Sequence, residues 1–480
     1  MSTQVNTADV SIKKLEIRSG NGRYNLLPHF LELNIYENLY SSSLTSNITL
    51  VDSVNLPYYL DLVGQETIDI DIALDGFDTG GNIENLVSIK PPPFHVNSLN
   101  NRIYTKPKTQ VFTLSMISEH FMSSAHSKVS KSYFDKTIGE IVKDIYLTYM
   151  DDRGESEKNQ NIRGLFVEET ERTERFIIPN LNPIDAINWL AQRAVQGNDF
   201  GVNYLFFETL NGSRFVSLNY LIKDSQPVFK FIYRPRTDDP TGVENLYDGV
   251  IKIDNFSFLK QFDRTELIQR GVYSSKLITH DIVTKVLKEH DYDGYSQWDE
   301  LYHLGEFPPL SDSDIESKSA GVTRVSHAPS AAIDFPNDSK RMSGQVDGHV
   351  EFYPKHDNMY SQNASDEYDN EVEVWRQRHK GHMGIHDGLN IVIETNGVSG
   401  IRIGQIVELE LPSPETSERD GASDVVYDRF LSGNYMVTAI QHIFSSINSN
   451  DPKVSYKMKI ELGKDGMEEQ ISSRKSRKED

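Results

Sequence analysis

The sequence contains no cysteine, and this absence removes several kinds of chemistry. Disulfide bonds, a thiol nucleophile and zinc sites built on thiolate ligands are all excluded. A chain without cysteine suits synthesis in a reducing cytoplasm.

Positive charge is scarce relative to negative charge. The 480 residues include 49 lysines and arginines against 71 aspartates and glutamates, which gives a formal net charge of −22. Stable binding of DNA relies on lysine and arginine to neutralise phosphates. The composition therefore argues against a protein that grips nucleic acid.

Long apolar runs and targeting signals are also missing. No run approaches the roughly 20 apolar residues that a membrane-spanning helix needs. The first residues, MSTQVNTADVSIKK, do not show the basic segment followed by an apolar segment that marks a secretory signal. We therefore expect a soluble protein without a membrane span.

Motifs for common enzymatic and nucleotide-binding sites are absent too. The sequence has no GxxxxGK[ST] phosphate loop, no GxSxG nucleophile elbow, no HExxH motif and no EF-hand calcium loop. Carboxylates are so numerous that pairing two of them by eye as general acid and base carries no information. We expect no catalytic residue and no cofactor.

The sequence does contain strands with a period of two near its N-terminal end. Alternate residues of a strand point to opposite faces of a sheet, so this pattern predicts one buried face and one polar face. A helix or a second sheet must cover the apolar face. The apolar positions are Leu31, Leu33, Ile35, Ile48, Leu50, Ile68, Ile70, Ile72, Leu74, Phe112, Leu114 and Met116.

The same alternation returns near the C-terminal end. Residues 401–414, IRIGQIVELELPSP, set isoleucine, valine and leucine on one side against Arg402, Glu408 and Glu410 on the other. Similar patterns lie at 389–394, 433–444 and 454–462. We predict an antiparallel meander over 388–463 with one face exposed to water or to a partner.

The middle of the chain has a different character. We predict a helix that begins after Asp135 as its N-cap, and a second helix with Asn182 as N-cap, Pro183 at its first position and Gly197 as its stop. Two strands around Asn211-Gly212 form a predicted hairpin. These elements indicate a small α/β module.

Two sets of residues are candidates for a site. Asp69 and Asp71 share one strand face, and so do Glu408 and Glu410. The ordinary interpretation is a solvated outer face, and the functional one is an acidic lining. His379, His382 and His386 have a spacing that could place their imidazoles on one helical face, which makes them a weak metal candidate.

Surface or structural histidines are the more ordinary reading of that second set. Gly381 and Gly384 lie within the same segment and disfavour a continuous helix. We therefore expect no bound metal ion.

The order of these segments resembles the baseplate hub protein of contractile-tailed bacteriophages of the T4-like kind. The resemblance is carried by their succession rather than by any one motif. The matching stretches are FLELNIYENLYSSSLTSNITLVDSVNLPYYLDLVGQETIDIDIA, NNRIYTKPKTQVFTLSMISEH, INWLAQRAV, YLFFETLNGSRFVSLNYL, DRFLSGNYMVTAIQHIF and YKMKIELGKDG.

This resemblance implies an α+β fold that is mainly antiparallel β, with two tail-tube-like β domains of barrel or sandwich type. A small α/β domain and a long polar insertion interrupt them. The expected division is 1–125 for the first tube-like domain, 126–236 for the α/β domain, 237–284 with 366–463 for the second tube-like domain, 285–365 for a polar, loop-rich insertion and 464–480 for a mobile tail.

The resemblance also implies a structural virion protein without enzymatic activity. It would form a homotrimer in the tail baseplate, assembled in the host cytoplasm, that joins the hexameric tail tube to the central spike. Its other expected partners are the baseplate wedge proteins and the tape measure protein. DNA would pass only transiently through a channel lined by Asp69, Asp71, Glu408 and Glu410.

Two other functions stay open from the sequence. A tail-fibre or receptor-binding protein would be structural too, but the long repeats or coiled-coil heptads typical of fibres are absent. A cell-wall hydrolase of the glycosidase type would need two carboxylates facing each other across a cleft. Mass in solution separates these readings, because a hub is a trimer and a hydrolase can act as a monomer.

Overall fold

The computed structural model describes most of the chain. The described residues are 9–74, 89–151, 164–171, 173–196, 201–223, 226–233, 251–261, 263–294, 298–307, 349–355, 372–386, 388–398, 400–413, 427–428, 430–447 and 453–468.

The fold is mainly antiparallel β, as the sequence predicts. The strands are β1 Asp9–Ser19, β2 Gly22–Asn25, β3 Phe30–Asn38, β4 Thr45–Asp52, β5 Thr67–Leu74, β6 Phe94–Lys106, β7 Thr109–Ser118, β8 Ser132–Thr137, β9 Leu165–Val167, β10 Thr173–Ile177, β11 Tyr204–Thr209, β12 Gly212–Ser217, β13 Phe229–Ile232, β14 Ile253–Lys260, β15 Ser274–His280, β16 Leu287–Asp293, β17 Val350–Pro354, β18 Leu389–Asn396, β19 Ile406–Glu410, β20 Gly433–Ser446 and β21 Lys453–Lys464.

Helices are few and mostly short. They are α1 Leu56–Tyr59, α2 Glu119–Ala125, α3 Ile138–Ile145, α4 Pro183–Ala191, α5 Leu218–Ile222, α6 Arg264–Gln269 and α7 Val372–His386. A π-helical turn, Tyr146–Met150, extends α3, and Leu27–His29 and Trp298–Glu300 form 3-10 turns. Among the described residues, none of these helices combines the length and the apolar character needed to cross a membrane.

Eight strands close into a ring by continuous antiparallel pairing. The order is β20-β3-β4-β7-β6-β5-β1-β21, and β21 pairs back onto β20. The alternating apolar residues of these strands fill its interior, and Leu33, Ile48 and Leu114 are fully buried. We name this ring the first barrel. A closed barrel leaves no unpaired edge around its circumference.

A second set of strands, in the order β13-β19-β20-β21-β18-β14, forms the second barrel. Its two outer strands meet at a single bridge between Ile232 and Lys252. The rings of Tyr233 and Phe256 pack edge to face across this seam, with centroids 4.8 Å apart. The second barrel is therefore closed by one bridge and an aromatic contact rather than by a full ladder.

The hairpin β20–β21 belongs to both barrels. Near Ser446 and Lys453 it pairs with β3 and β1, and near Gly433 and Lys464 it pairs with β19 and β18. One apolar core runs continuously through both barrels, including Phe444 and Leu462 from this hairpin. The two barrels are thus fused along a common wall.

The predicted meander over 388–463 is wrong in its order of pairing. A meander would put β18 beside β19, but β18 pairs with β21 and β14 instead. The chain between them, near residue 404, crosses the end of the hairpin and is held there by two hydrogen bonds between Val437 and the Gly404–Gln405 turn. Gly404 has φ +79, a conformation that suits glycine. This crossing permits the second barrel to close.

The α/β module has its own core, which includes Ile141, Ile187 and Phe215. Its helices are predicted correctly in place but not in every boundary. Thr137 rather than Asp135 is the N-cap of α3, because Thr137 and Glu140 form a reciprocal capping box. Helix α4 starts at Pro183 as predicted and ends at Ala191, and Gly197 lies outside the described residues. The predicted hairpin is β11–β12.

A third module contains the three-stranded sheet β16-β15-β17 and helix α7. Strands β16 and β17 belong to the segment 285–365, of which residues 295–297, 308–348 and 356–365 lie outside the described part. Helix α7 runs through Gly381 and Gly384, so the expectation that these glycines interrupt it is wrong. A methyl group on Gly384 would lie 2.1 Å from Val272 Cγ2, which shows that the glycine permits close packing of the helix.

The division of the chain into five domains stays a prediction. Strand β13, within the segment assigned to the α/β domain, pairs with β19 of the second barrel. Lys464 and Asp465, within the segment assigned to a mobile tail, are buried. Residues 469–480 lie outside the described part.

Candidate assembly surface and histidine cluster

The first pair of predicted site residues lies on β5 of the first barrel. Asp69 is only 8% exposed, and its Oδ2 accepts hydrogen bonds from Lys14 Nζ at 2.9 Å and Arg18 Nε at 3.0 Å. Asp71 is more accessible, and Lys90 Nζ lies 3.7 Å from its Oδ2. Both carboxylates therefore have a cation beside them.

Strand β1 supplies two of these cations because it pairs with β5. In that register Glu16 lies opposite Asp69, and Lys14 lies opposite Asp71. Burial alone would raise the pKa of Asp69, but the hydrogen bonds from Arg18 and Lys14 outweigh burial and hold the pKa below its ordinary value. Asp69 is consequently an ionised member of a charge cluster.

The second pair lies on β19 of the second barrel and shares one lysine. Lys230 on the neighbouring strand β13 places its Nζ 3.0 Å from Glu408 Oε1 and 2.6 Å from Glu410 Oε1. Hydrogen bonds to Glu410 and Glu408 raise the pKa of Lys230. The acidic face of the segment 401–414 therefore faces a lysine of its own chain, and the pair plus lysine retains one net negative charge.

The sequence reasoning found these four carboxylates but missed their partners. The alternation of Lys14, Glu16 and Arg18 along β1 was a signal that this strand has a charged face. Lys230 carried no such signal, because nothing local indicates that β13 pairs with a strand nearly 180 residues away, as the separation of 178 between Lys230 and Glu408 records.

We predict that Asp69→Asn destabilises the first barrel more than Asp71→Asn does. Asparagine at 69 would leave Lys14 and Arg18 without their shared anion, and a lost hydrogen bond to a charged group costs about 1.5–3 kcal/mol. Asp71 is more exposed, so its substitution should cost less than about 1 kcal/mol. Urea unfolding of the two variants measures the difference, and equal losses would contradict the assignment.

A buried ionic link joins the α/β module to the first barrel. Glu208 on β11 is 1% exposed, and its Oε2 accepts from the backbone N–H of Leu44 at 3.0 Å. Its Oε1 lies 3.0 Å from His120 Nδ1, and His120 Nε2 lies 3.0 Å from the hydroxyl of Tyr146. Burial opposes protonation of His120, but Glu208 outweighs it and raises the pKa of the imidazole.

This link predicts a pH dependence with a defined sign. Because the pKa of His120 in the folded protein lies above its ordinary value, the protonated imidazole stabilises the fold fully below that ordinary value, and the contribution disappears as pH rises through the raised pKa. The free energy of unfolding should therefore fall as pH rises from the ordinary histidine pKa of 6.5 through the raised pKa of His120. In His120→Gln this component of the fall should vanish, and an unchanged pH profile would contradict the link.

The third group of interest is a cluster of histidines around the end of β21, which we name the histidine cluster. It consists of His303, His382, His386 and Asp465. Asp465 Oδ2 lies 2.8 Å from His303 Nδ1 and 3.3 Å from His386 Nε2. The rings of His382 and His386 are 5.0 Å apart. One potential ligand atom each from His303, His382 and Asp465 lie within 4.8 Å of one another.

Burial governs the protonation of this cluster. It lowers the pKa of His382 well below the ordinary value, reinforced by the neighbouring His386 and His303 and opposed by Asp465 and the backbone of Tyr302. Burial likewise lowers the pKa of His386, with Asp465 opposing it. The pKa of Asp465 is held low by His386 and His303 against the effect of its own burial.

The fold brings together only two of the three histidines that the sequence analysis named as a metal candidate. His382 and His386 lie side by side, as their spacing on one helical face indicates. His379 is near Arg376 and Lys380 instead, and burial together with these charges lowers its pKa to about 4. Sequence spacing could not find His303 and Asp465, because they are 162 residues apart.

No protein-family model and no curated protein matches the chain. Solved structures give similarities along nearly its whole length. It is similar to the tail protein from Neisseria meningitidis MC58, with 11% identity, 95% of this chain and 97% of that one covered, and a TM-score of 0.48. It is similar to the 43 kDa tail protein of prophage MuSo2 from Shewanella oneidensis, with 11% identity, 95% and 99% covered, and a TM-score of 0.48.

A further similarity is to a component of the type VI secretion system of E. coli, with 8% identity, 96% of this chain and 79% of that one covered, and a TM-score of 0.40. These TM-scores lie below 0.5. The function proposed next therefore rests on the residues, the charge and the two barrels of this chain.

Proposed function

We propose that the chain is the hub subunit of a contractile-tail baseplate. Three copies form a homotrimer that joins a hexameric tail tube to a central spike, with wedge and tape measure proteins as further partners. The role is structural rather than catalytic, and the protein resides in the virion tail after assembly in the host cytoplasm. The succession of sequence segments that resembles the hub family supports this proposal.

The observation that carries the proposal is the pair of β-barrels in one chain. Each barrel has a buried interior, and the two share the hairpin β20–β21. Three chains with two barrels each supply six similar units around a three-fold axis. Six units match the symmetry of a hexameric tube at one end, while the three-fold axis matches a trimeric spike at the other.

The balance of charge supports a role beside a DNA channel rather than a role in holding DNA. A net charge of −22 repels phosphates, which occur about every 1.7 Å along duplex DNA. We propose that Asp69, Asp71, Glu408 and Glu410 contribute to the channel lining. Their pairing with lysine and arginine reduces the local negative charge, so DNA would meet a weakly repulsive wall.

Mass in solution tests the trimer. Native mass spectrometry of the full chain alone should give three times the chain mass of 54.7 kDa. If the trimer needs its tube and spike partners, the complex with them should contain three copies of the chain. A chain that stays monomeric with both partners present would contradict the proposal. Turnover of cell-wall material by that monomer would favour the hydrolase reading.

Charge reversal tests the channel lining in assembled particles. Asp71→Lys with Glu408→Lys is the suitable variant, because both side chains are more accessible than that of Asp69. We expect slower DNA ejection, since the new lysines attract phosphate. Glu289→Lys on β16 is the matched control outside the barrels and should eject normally. Ejection at an unchanged rate in the double variant would exclude these residues from the lining.

A further inference from the structure

We propose that the histidine cluster is a binding site for one divalent transition metal ion of the zinc type. The ligands are His303, His382 and Asp465, and His386 completes the set. The ion would fasten helix α7 and the segment 298–307 to the end of β21. This inference rests on the cluster alone and is independent of the proposed function.

The contacts of His303 direct its Nδ1 toward Asp465. His303 Nε2 lies 3.0 Å from the backbone carbonyl oxygen of Trp298, which only accepts, so Nε2 carries the proton. Nδ1 faces Asp465 Oδ2 at 2.8 Å, and without a proton on Nδ1 these two atoms are both acceptors. Two acceptors at this distance need a cation or an extra proton between them. A metal ion satisfies both.

Asp465 is held in the same way as a ligating carboxylate. Its Oδ1 accepts the backbone N–H of Leu304 at 2.9 Å, which fixes the carboxylate and leaves Oδ2 for a ligand. Outer hydrogen bonds of this type, from a histidine to a backbone carbonyl and from a backbone N–H to a carboxylate, orient metal ligands in proteins. Asp465 is 1% exposed, so its charge has little access to water.

Two further ring nitrogens of the cluster form no hydrogen bond of good geometry, although the one on His386 lies 3.3 Å from Asp465 Oδ2 and the backbone of Tyr302 lies beside His382. They are Nε2 of His382 and Nε2 of His386, on side chains that are 1% and 2% exposed. A buried polar atom left unpaired is costly, so a ligand is a physical reason for it. Asn203 Oδ1 is also buried and unpaired, while its Nδ2 lies 3.0 Å from His382 Nδ1. A rotated Asn203 amide would accept from Nδ1–H and direct the Nε2 lone pair to the metal.

The fold brings distant residues together at this point through a close backbone approach. Phe307 and Met467 form an isolated antiparallel bridge. Beside it, a methyl group on Gly305 would lie 2.4 Å from the backbone of Gly466, so no larger residue fits there. The ring of Trp298 stacks on His303 at a centroid distance of 3.4 Å. These contacts hold the imidazole of His303 over the end of β21.

The ligand chemistry selects the class of ion. Imidazole nitrogens with one carboxylate and no thiolate suit zinc and related first-row metals, whereas magnesium and calcium prefer oxygen ligands. Zinc–nitrogen bonds of about 2.0–2.1 Å in a tetrahedron require ligand atoms roughly 3.4 Å apart. The distance of 3.3 Å between Asp465 Oδ2 and His386 Nε2 lies near this spacing, whereas the 2.8 Å between Asp465 Oδ2 and His303 Nδ1 has to lengthen when an ion binds.

Metal titration of the purified full-length chain tests the site. The protein is stripped with a chelator, titrated with Co²⁺ and followed by visible absorption, and Zn²⁺ is then added to displace the cobalt. We expect a saturable tetrahedral cobalt spectrum and one zinc per chain by elemental analysis. A wild-type chain that shows no saturable spectrum and no stoichiometric zinc would overturn the proposal.

Variants locate the ion within the chain. His382→Gln and Asp465→Asn should weaken zinc binding by about tenfold or more, since each removes a ligand. His379→Gln is the matched control, because His379 lies one turn away on α7 and outside the cluster. Circular dichroism establishes that each variant is folded. Equal zinc affinity in all three variants would overturn the assignment of the ligands.

Discussion

Gly397→Ala is expected to destabilise the protein by about 3 kcal/mol, the upper end of the usual cost of overpacking, because the added methyl group overpacks a closed core. An ideal Cβ at this position would lie 2.0–2.3 Å from three ring atoms of Tyr456. That ring cannot move aside, since it is fully buried and stacks on Phe444 at 4.6 Å. Urea unfolding monitored by circular dichroism measures the loss.

Gly400→Ala is the matched control for this substitution. It lies three residues further along the same crossing segment, and an added methyl group there would meet no atom within 4 Å. Its effect on the free energy of unfolding should stay within about 0.5 kcal/mol. Similar stabilities of the two variants would show that the wall of the fused barrels is not as tightly packed as the structure indicates.

Removal of either Glu37 or His442 should cost about 1–3 kcal/mol, as expected when one member of a buried hydrogen-bonded pair is left unsatisfied. His442 Nε2 lies 2.9 Å from Glu37 Oε1, and both side chains are 0% exposed. The hydroxyl of Tyr456 lies 2.8 Å from His442 Nδ1 and completes the network. These residues join β3, β20 and β21, where the first barrel closes.

A double-mutant cycle separates this network from ordinary packing. Glu37→Met combined with His442→Met should cost clearly less than the two single substitutions together, because neither the carboxylate nor the imidazole is left without the other and only the Tyr456 hydroxyl loses its partner. The surface pair Lys459–Glu394, at 46% and 39% exposure, is the control and should show a coupling below about 1 kcal/mol. Additive losses at Glu37 and His442 would contradict the network.

The alternation of apolar and polar residues predicted the strands well, because the burial of one sheet face determines which neighbouring positions are apolar. The pattern at Leu33 and Ile35 or at Ile391 and Ile393 indicates a strand without reference to the rest of the chain. The partner of each strand is not a local property. Strand β1 pairs with β21 across nearly the whole sequence, as Val10 opposite Val454 shows, and no periodicity encodes that closure.

The N-cap of α3 and the partners of the acidic residues illustrate two kinds of miss. The Thr137–Glu140 capping box was present in the sequence, so the choice of Asp135 overlooked an available signal. Asp135 instead adopts φ +52 and pairs with Arg175 at 2.8 Å. The contact of Lys230 with Glu408, by contrast, depends on tertiary structure alone.

Only two of the three histidines in the histidine cluster could be predicted from the sequence, because only their contact depends on local structure. Helical spacing places His382 and His386 on one face, and that part needs only local geometry. His303 and Asp465 reach the cluster through the Phe307–Met467 bridge, which forms only when the segment 298–307 folds onto the hairpin. From the sequence the glycines of α7 disfavour a helix, because the close packing that requires them involves residues distant in the chain, such as Val272 against Gly384.

The most direct test of the central claim is a cryo-EM reconstruction of the full chain assembled with its tube and spike partners. The account predicts a ring with three-fold symmetry in which six barrel densities, two per chain, surround an axial channel. A particle that contains any number of copies of this chain other than three would contradict it. So would a particle with a single copy of this chain.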